Sequence, residues 1–299
     1  MSFTVPGYTV YERVGIGARS TIWLVGHRDT GEQRILKRVL KRSADDDRFL
    51  AQAENEHTIS SQFEHPYLRR TFEIRRIRRM LKIRELHLIM EYFDGRTLED
   101  IGPLGKSGLT GIFIKVAQGI QALHEKEIVH ADLKPNNILI NEAGMVKIID
   151  FGQSCPVGHV KGRIQGTPGY IAPEQVERGM PLDKTTDVYN FGATLYWAIT
   201  GQPYPTVMPQ KKRTVGIELA GPRTAPPAHD LNPNVPIALS RLVSDCCKTN
   251  PRERPSDFSE VLRRLSVTQE LLDKNDGTLT GPVIRRKDSP DEVSSSSGS

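Results

Sequence analysis

The stretch that most constrains this chain is Val129 to Gly152, VHADLKPNNILINEAGMVKIIDFG. It sets Asp132, Lys134 and Asn137 within six residues and adds a second aspartate, Asp150, at the end of an apolar run. These residue types suit phosphoryl transfer. An aspartate can accept the proton of an attacking hydroxyl, and a lysine can neutralise a transferring phosphate. An asparagine and a further aspartate offer hard oxygen ligands to Mg²⁺ on a nucleotide's phosphates. That chemistry requires both ends of the stretch, and a basic group from elsewhere, to surround one nucleotide triphosphate.

HADLKPNN followed by DFG resembles the catalytic and metal-binding loops of eukaryotic-type (Hanks-type) serine/threonine protein kinases. The resemblance covers about residues 8 to 266. It implies an α+β, bilobal fold, with a small antiparallel-sheet N-lobe carrying one main helix and a larger, mostly helical C-lobe. The expected division is an extension over 1–7, the N-lobe over 8–91, the C-lobe over 92–272 and a disordered tail over 273–299, whose charged and Ser/Gly-rich composition can bury little. The resemblance also implies ATP and Mg²⁺ as cofactors, Asp132 and Lys134 as catalytic groups, and Asn137 and Asp150 as the metal ligands.

Upstream, Tyr8 to Val14 and Thr21 to Gly26 read as strands flanking GIGARS, with Gly15 and Gly17 at the tip. This is the kinase context for such glycines, although an ordinary hairpin turn has the same local pattern. Ser20 stands where a third glycine is usual, which is tolerated if the backbone there needs no positive φ. Gln33 to Leu40 reads as a third strand, and Lys37 stands at the lysine of the family's V-A-I-K. Ile35 replaces its alanine, implying a bulkier pocket ceiling. Asp45 to Phe63 fits an amphipathic helix with Phe49, Leu50, Ala53, Ile59 and Phe63 near helical spacing. Glu54 and Glu56 both come within reach of Lys37; counting ten back from Pro66 favours Glu56, with Glu54 the open alternative.

Tyr67 to Tyr92 contains two strand-like pieces joined by RRIRRMLKIRE, whose Arg75, Arg76, Arg78, Arg79, Lys82 and Arg84 form the strongest basic cluster. It suits an acidic partner, a nucleic acid or an anionic lipid, or is a plain solvated hairpin. The absence of interleaved aromatics disfavours single-stranded nucleic acid. HLIMEYFDG resembles the last strand and hinge, with Met90 as gatekeeper and the backbone of Glu91 and Phe93 facing adenine. The resemblance adds Gly15, Gly17, Ser20, Ile22, Ile35, Lys37 and Leu139 to the nucleotide pocket.

Leu109 to Glu125 reads as a long amphipathic helix. GTPGYIAPE resembles the end of an activation segment, and Asp187, opening an apolar helix, resembles the anchor of the catalytic loop. Arg254 in NPRERPS is expected to pair with Glu174. Met208 to Pro236 reads as an extended loop, and Leu239 to Cys247 and Phe258 to Leu272 as closing helices. The family's H-R-D is His130-Ala131-Asp132 here, and CPVGHVKGRIQG, between Ser154 and Thr167, holds no serine, threonine or tyrosine. Phosphate clamp and acceptor are missing together, so independence from phosphorylation of that segment is expected. By resemblance Thr167 bridges Asp132 and Lys134, and Lys134 marks a Ser/Thr acceptor in a protein substrate. TGQPYP and the compact C-terminal half resemble bacterial-type members.

Three cysteines in 299 residues make no disulfide framework and suit a reducing compartment. With no secretory leader visible and no apolar run approaching the roughly 18 residues that span a bilayer, a cytoplasmic location is expected. An anchor outside the sequence stays open. Cys155 is an incidental or a redox-active thiol, whereas Cys246 and Cys247 read as core. Two other functions compete. A silent pseudokinase acting as a nucleotide-binding or scaffold module draws on Ser20 and Ile35. A small-molecule kinase of similar fold is disfavoured by the A-P-E segment and the late arginine.

Overall fold

The structure, a computed structural model, describes residues 3–17, 19–206, 209–211, 217–219 and 225–276. The N-lobe begins as a meander of β1 (Tyr8–Ile16), β2 (Ser20–His27) and β3 (Gln33–Leu40), followed by helix α1 (Asp47–Ser60). The hairpin of β4 (Thr71–Arg79) and β5 (Lys82–Glu91) then inserts so that β5 pairs with β3, giving the antiparallel order β1-β2-β3-β5-β4. Alternation along the strands sorts the sheet's two faces. Ile35, Val39, Leu86, Leu88 and Met90 meet Leu50 and Ala53 of α1. Val25, Leu36 and Ile89 pack on the other side with Tyr8 and Val5, so the first residues described belong to the sheet's cover.

The basic cluster forms the hairpin that the sequence offered as one reading, and not a separate joint between two strands. Both strands run through it, and only Met80 and Leu81 turn the chain, at φ 48° and 67°. This two-residue turn with both centres at positive φ normally selects Asn-Gly, because a side chain there costs about 1–2 kcal/mol per residue.

The C-lobe runs through β6 (Arg96–Thr97), α2 (Leu98–Ile101), α3 (Lys106–Glu125), β7 (Ile128–Val129), β8 (Ile138–Ile140), β9 (Val146–Ile148), β10 (Cys155–Pro156), α4 (Pro173–Val176) and α5 (Lys184–Thr200). It closes with β11 (Pro209–Lys211), β12 (Ile217–Leu219), α6 (Ala228–Leu231), α7 (Ile237–Cys246) and α8 (Phe258–Asp276). Its core is Phe113, Val116 and Ile120 of α3, Phe191 and Leu195 of α5, Leu242 of α7, and Phe258 and Leu265 of α8. Phe191 meets both Phe113 and Phe258 edge to face, with ring centroids at 5.4 Å. α5 is buried nearly all round, capped at its start by Asp183 and closed by Gly201 at φ 73°.

Several boundaries differ from expectation: α1 covers Asp47–Ser60 and not Asp45 to Phe63, and two larger differences fall late in the chain. α8 continues through Asp276 because Asp273 and Lys274 are tolerated on an exposed helical surface, so the expected tail start at 273 falls inside it; 277–299 lie outside the described residues. Within the expected loop 208–236, β11, β12 and α6 are formed, and positions 208, 212–216 and 220–224 are outside the described residues.

The lobes join behind the site. Tyr67 to Arg69 lies along β9, with Ile148 N donating to Tyr67 O at 2.7 Å and Arg69 N donating to Ile148 O at 3.0 Å. At the hinge Gly95 is needed for close approach: a Cβ there would lie 2.6 Å from the Phe93 ring and 2.9 Å from Ile140 O. Deep in the C-lobe, Arg254 Nη1 and Nη2 donate to Glu174 Oε1 and Oε2 at 2.7 and 2.9 Å. Truncating one partner strands the other's charge in a dry site, so Glu174→Ala is expected to cost about 3–5 kcal/mol in urea unfolding. The paired apolar replacement Glu174→Leu with Arg254→Met is expected to cost less.

Candidate active site

On β3 Lys37 lies between the buried Ile35 and Val39, so its side chain leaves the sheet toward α1. There Nζ donates to Glu56 Oε2 at 2.6 Å and lies 3.6 Å from Asp150 Oδ1. Glu54, the open alternative, accepts Arg76 Nε at 2.8 Å instead. Two residues turn a helix by about 200°, which sends the two glutamates to different faces. Burial alone lowers the Lys37 pKa; Asp150 and Glu56 more than offset it and hold it above the usual lysine value. The same ammonium is the main reason Asp150 sits below the ordinary carboxylate range.

Asp150 occupies the left-handed region at φ 66°. The segment after it is tied to α1 by Asn55, whose Nδ2 donates to the carbonyls of Phe151, Gly152 and Ser154 at 3.2, 3.3 and 2.8 Å.

The catalytic loop hangs from α5. The Asp187 carboxylate accepts the amides of His130 and Ala131 at 2.7 and 2.8 Å and approaches His124 Nε2 at 2.9 Å. Burial works to raise its pKa, and these donors win, leaving it lowered. The grip holds Ala131 at φ 62°. Beyond it, Lys134 Nζ donates to Asp132 Oδ2 at 2.9 Å and to Thr167 Oγ1 at 2.7 Å, and Thr167 Oγ1 donates to Asp132 Oδ1 at 3.0 Å. The His130 ring packs edge-on to Phe151 at 5.4 Å, and its Nδ1 accepts the Asp132 amide.

Asn137 Nδ2 donates to Asp132 O at 2.8 Å, which fixes the amide's orientation and leaves Oδ1 as the end able to accept a cation. Ile149 N donates to Asn137 O at 3.0 Å, bringing that residue beside Asp150. Among the described residues no group of three His, Cys, Asp or Glu side chains forms a metal cluster. Asn137 and Asp150 instead fit a half-site for Mg²⁺, a hard cation whose remaining positions suit phosphate oxygens and water.

At the glycine turn Gly17 N donates to Ser20 O at 2.8 Å. Neither Ser20 nor the two glycines has positive φ. The serine therefore meets the condition for replacing glycine, while its hydroxyl fills the space a Cβ on Gly17 would enter, 2.5 Å away. A cavity of about 190 Å³ lies beneath, lined by Gly17, Ser20, Lys37, Asp150 and Arg19. The other residues expected in the pocket, Gly15, Ile22, Ile35, Met90, Glu91, Phe93 and Leu139, do not line this cavity. Ile22 lies opposite Lys37, Ile35 opposite Met90, and Leu139 between Thr97 and Lys147 on neighbouring strands. Glu91 N is spent on Arg70 O, while its side chain takes Lys147 at 2.7 Å.

Sequence reasoning missed Asn55, Arg19, Arg69 and Gln175. Arg19 lines the cavity beneath the glycine turn and is held by Asp46 at 2.7 Å. Its place inside GIGARS was the one available signal. Arg69 adds a second cation whose charge acts on Glu56 and Asp150, and burial pushes its own pKa down. Cys155 is buried and pushed up to about 11, which leaves little thiolate for redox chemistry.

A cation from one lobe and Asp150 from the other thus line a single interlobe cavity, the layout of a two-lobed phosphotransferase. Residues 8–266 match the protein kinase domain model, and the chain belongs to that family. It is similar to a probable serine/threonine-protein kinase of Clostridium acetobutylicum, 26% identical over 91% of this chain and 41% of the relative. A probable serine/threonine-protein kinase of Corynebacterium efficiens is 28% identical over 98% of this chain and 46% of its own length. One from Clostridium perfringens is 33% identical over 59% of this chain and 26% of the relative. The chain thus spans under half the length of these bacterial relatives. Among the described residues no helix is long and apolar enough to cross a membrane.

Burial depresses the His130 pKa despite the nearby aspartates. Below about pH 6.5 the unfolded chain therefore takes a proton that the folded one refuses, and stability falls as pH drops. Urea unfolding of wild type and His130→Phe at pH 7 and pH 5 is expected to show the wild type losing more stability over that interval.

Proposed function

We propose that the chain transfers the γ-phosphoryl group of Mg-ATP to a serine or threonine hydroxyl of a protein substrate. The observation that carries this reading is the convergence of Lys37, paired with Glu56, on Asp150 across the cleft from the Asp132, Lys134 and Thr167 triangle. Asp132 accepts the acceptor hydroxyl's proton as the new O–P bond forms and the bond to the departing diphosphate breaks. Lys134 neutralises charge on the phosphoryl group in transit, and Lys37 holds the α- and β-phosphates. Asn137 and Asp150 are the proposed Mg²⁺ ligands, and the metal supplies neutralisation of phosphate charge. Lys134 and the similarity to bacterial proteins described as probable serine/threonine-protein kinases support serine or threonine as acceptor.

We further infer that activity does not depend on phosphorylating the activation segment. Where the family places an arginine, Ala131 is fully buried and its carbonyl accepts Gln175 Nε2 at 2.7 Å. Gln175 Nε2 also reaches Gln165 O at 3.2 Å, and Lys161 Nζ donates to Gln153 O at 2.7 Å. These bonds tie the segment down without a phosphate. Three free, buried cysteines support a reducing, cytoplasmic setting, and the basic 75–84 hairpin suits an acidic surface outside the cleft.

Asp132→Asn is expected to lower phosphorylation of a generic protein substrate by about 10²–10⁴-fold. Equal signal from both proteins would identify a binding module instead. Phosphatase-treated protein, checked by mass spectrometry, is expected to keep its rate. Loss of catalysis until a residue of the segment is rephosphorylated would rule out the independence.

A further inference from the structure

We propose that the β4–β5 hairpin docks the N-lobe onto an anionic lipid surface. Met80 and Leu81 enter the boundary between headgroups and acyl chains, and the cations behind them meet lipid phosphates.

The apex consists of two aliphatic side chains that touch almost nothing, Met80 at 90% and Leu81 at 93% exposure. Their conformation gives no reason for their presence. Both sit at positive φ, where Asn-Gly makes the same turn at less cost. Immediately behind them Arg79 and Lys82 are direct cross-strand partners, so like charges face each other. Neither feature serves the folded chain by itself, and an external partner that is apolar at one depth and anionic at the next accounts for both.

The charge has a direction. At the hairpin's base Arg75 is satisfied by Glu73 and the Pro6 carbonyl, and Arg76 by Glu54. Toward the apex, none of the ion pairs among the described residues includes Arg78, Arg79, Lys82 or Arg84. Those four cations stand within three residues of the two-residue apolar tip. A bilayer receives a convex wedge without a preformed pocket and offers continuous negative charge above it. An acidic protein would satisfy the cations but would have to supply a cavity for the apex. No aromatic residue lies between 75 and 84 to stack on a base.

The test is co-sedimentation of the full 299-residue chain with vesicles of phosphatidylcholine, alone or with about one third phosphatidylglycerol. Binding is expected only to the anionic vesicles, and weaker at high salt. The double variant Met80→Asn, Leu81→Gly keeps every cation and supplies the residues the turn favours. Its melting temperature is expected to equal or exceed that of the wild type, and its phosphotransfer in solution to be unchanged. Its vesicle partitioning is expected to fall at least about tenfold. Arg78→Glu with Lys82→Glu is expected to abolish binding.

Equal binding to neutral and anionic vesicles, or no binding to either, overturns the proposal. So does wild-type binding by the Asn-Gly variant. Saturable binding to soluble poly-glutamate that the Asn-Gly variant retains, with no vesicle binding, would make an acidic polypeptide the partner and also overturn it.

Discussion

The interaction on which the rest depends is the grip of the Asp187 carboxylate on two backbone amides. Asp187 is fully buried at the start of α5, where an unpaired charge would cost several kcal/mol. It accepts the amides of His130 and Ala131, with His124 as a third neighbour. This demand for donors bends the loop, forcing Ala131 into the left-handed region. The bend presents Asp132 and Lys134 to the cleft while the following turn delivers Asn137 to Asp150. α5 is itself fixed by Phe191 in the aromatic core and, near its first turn, by Arg254, which donates to Thr185 O as it pairs with Glu174. Loop geometry is thus inherited from the C-lobe core.

The cleft's other half is balanced differently. Lys37 carries one positive charge against two carboxylates, Glu56 at 2.6 Å and Asp150 at 3.6 Å. Glu56 is buried and committed to the lysine, whereas Asp150 is substantially exposed and also faces the metal half-site. The arrangement leaves anionic capacity on the side where a divalent cation fits, and basic capacity, from Lys37 and Arg19, on the side where the proposed reading puts the phosphates. The ion pair's role is to set the lysine's position between them, since its charge is secure at any ordinary pH.

How much of this the sequence discloses follows from where each interaction begins and ends. Asp132, Asn137 and Asp150 sit in one short stretch whose residue types point to one chemistry, and Lys37 was placed by its resemblance to the family's lysine. β3 was readable because Ile35, Leu36, Val39 and Leu40 concentrate branched apolar residues in one short stretch around Lys37 and Arg38. The extent of the hairpin's strands was not: Arg and Lys dominate both near the tip, and Ile74 and Ile77 stand three residues apart, so no period of two shows there. Asn55 was invisible for another reason. Its three partners lie 96 to 99 residues away, and an asparagine on a helix carries no local mark of a carbonyl acceptor. Gln175 is similar, bridging 44 residues to Ala131. Polar staples of this kind are written in the tertiary fold alone.

Those staples bear on how such a chain is controlled. A phosphate clamp is conditional, because its charge-assisted bonds exist only after modification. Hydrogen bonds from Gln175 and Lys161 are permanent and each modest, about 1 kcal/mol. Several together set a continuous bias toward an ordered segment, and Asn55 couples that bias to α1 and so to the Lys37 and Glu56 pair. On the proposed reading, the catalytic apparatus is assembled by default. Selectivity then has to come from which substrates reach the cleft, and a surface that fixes where the N-lobe sits supplies that without altering any residue of the site.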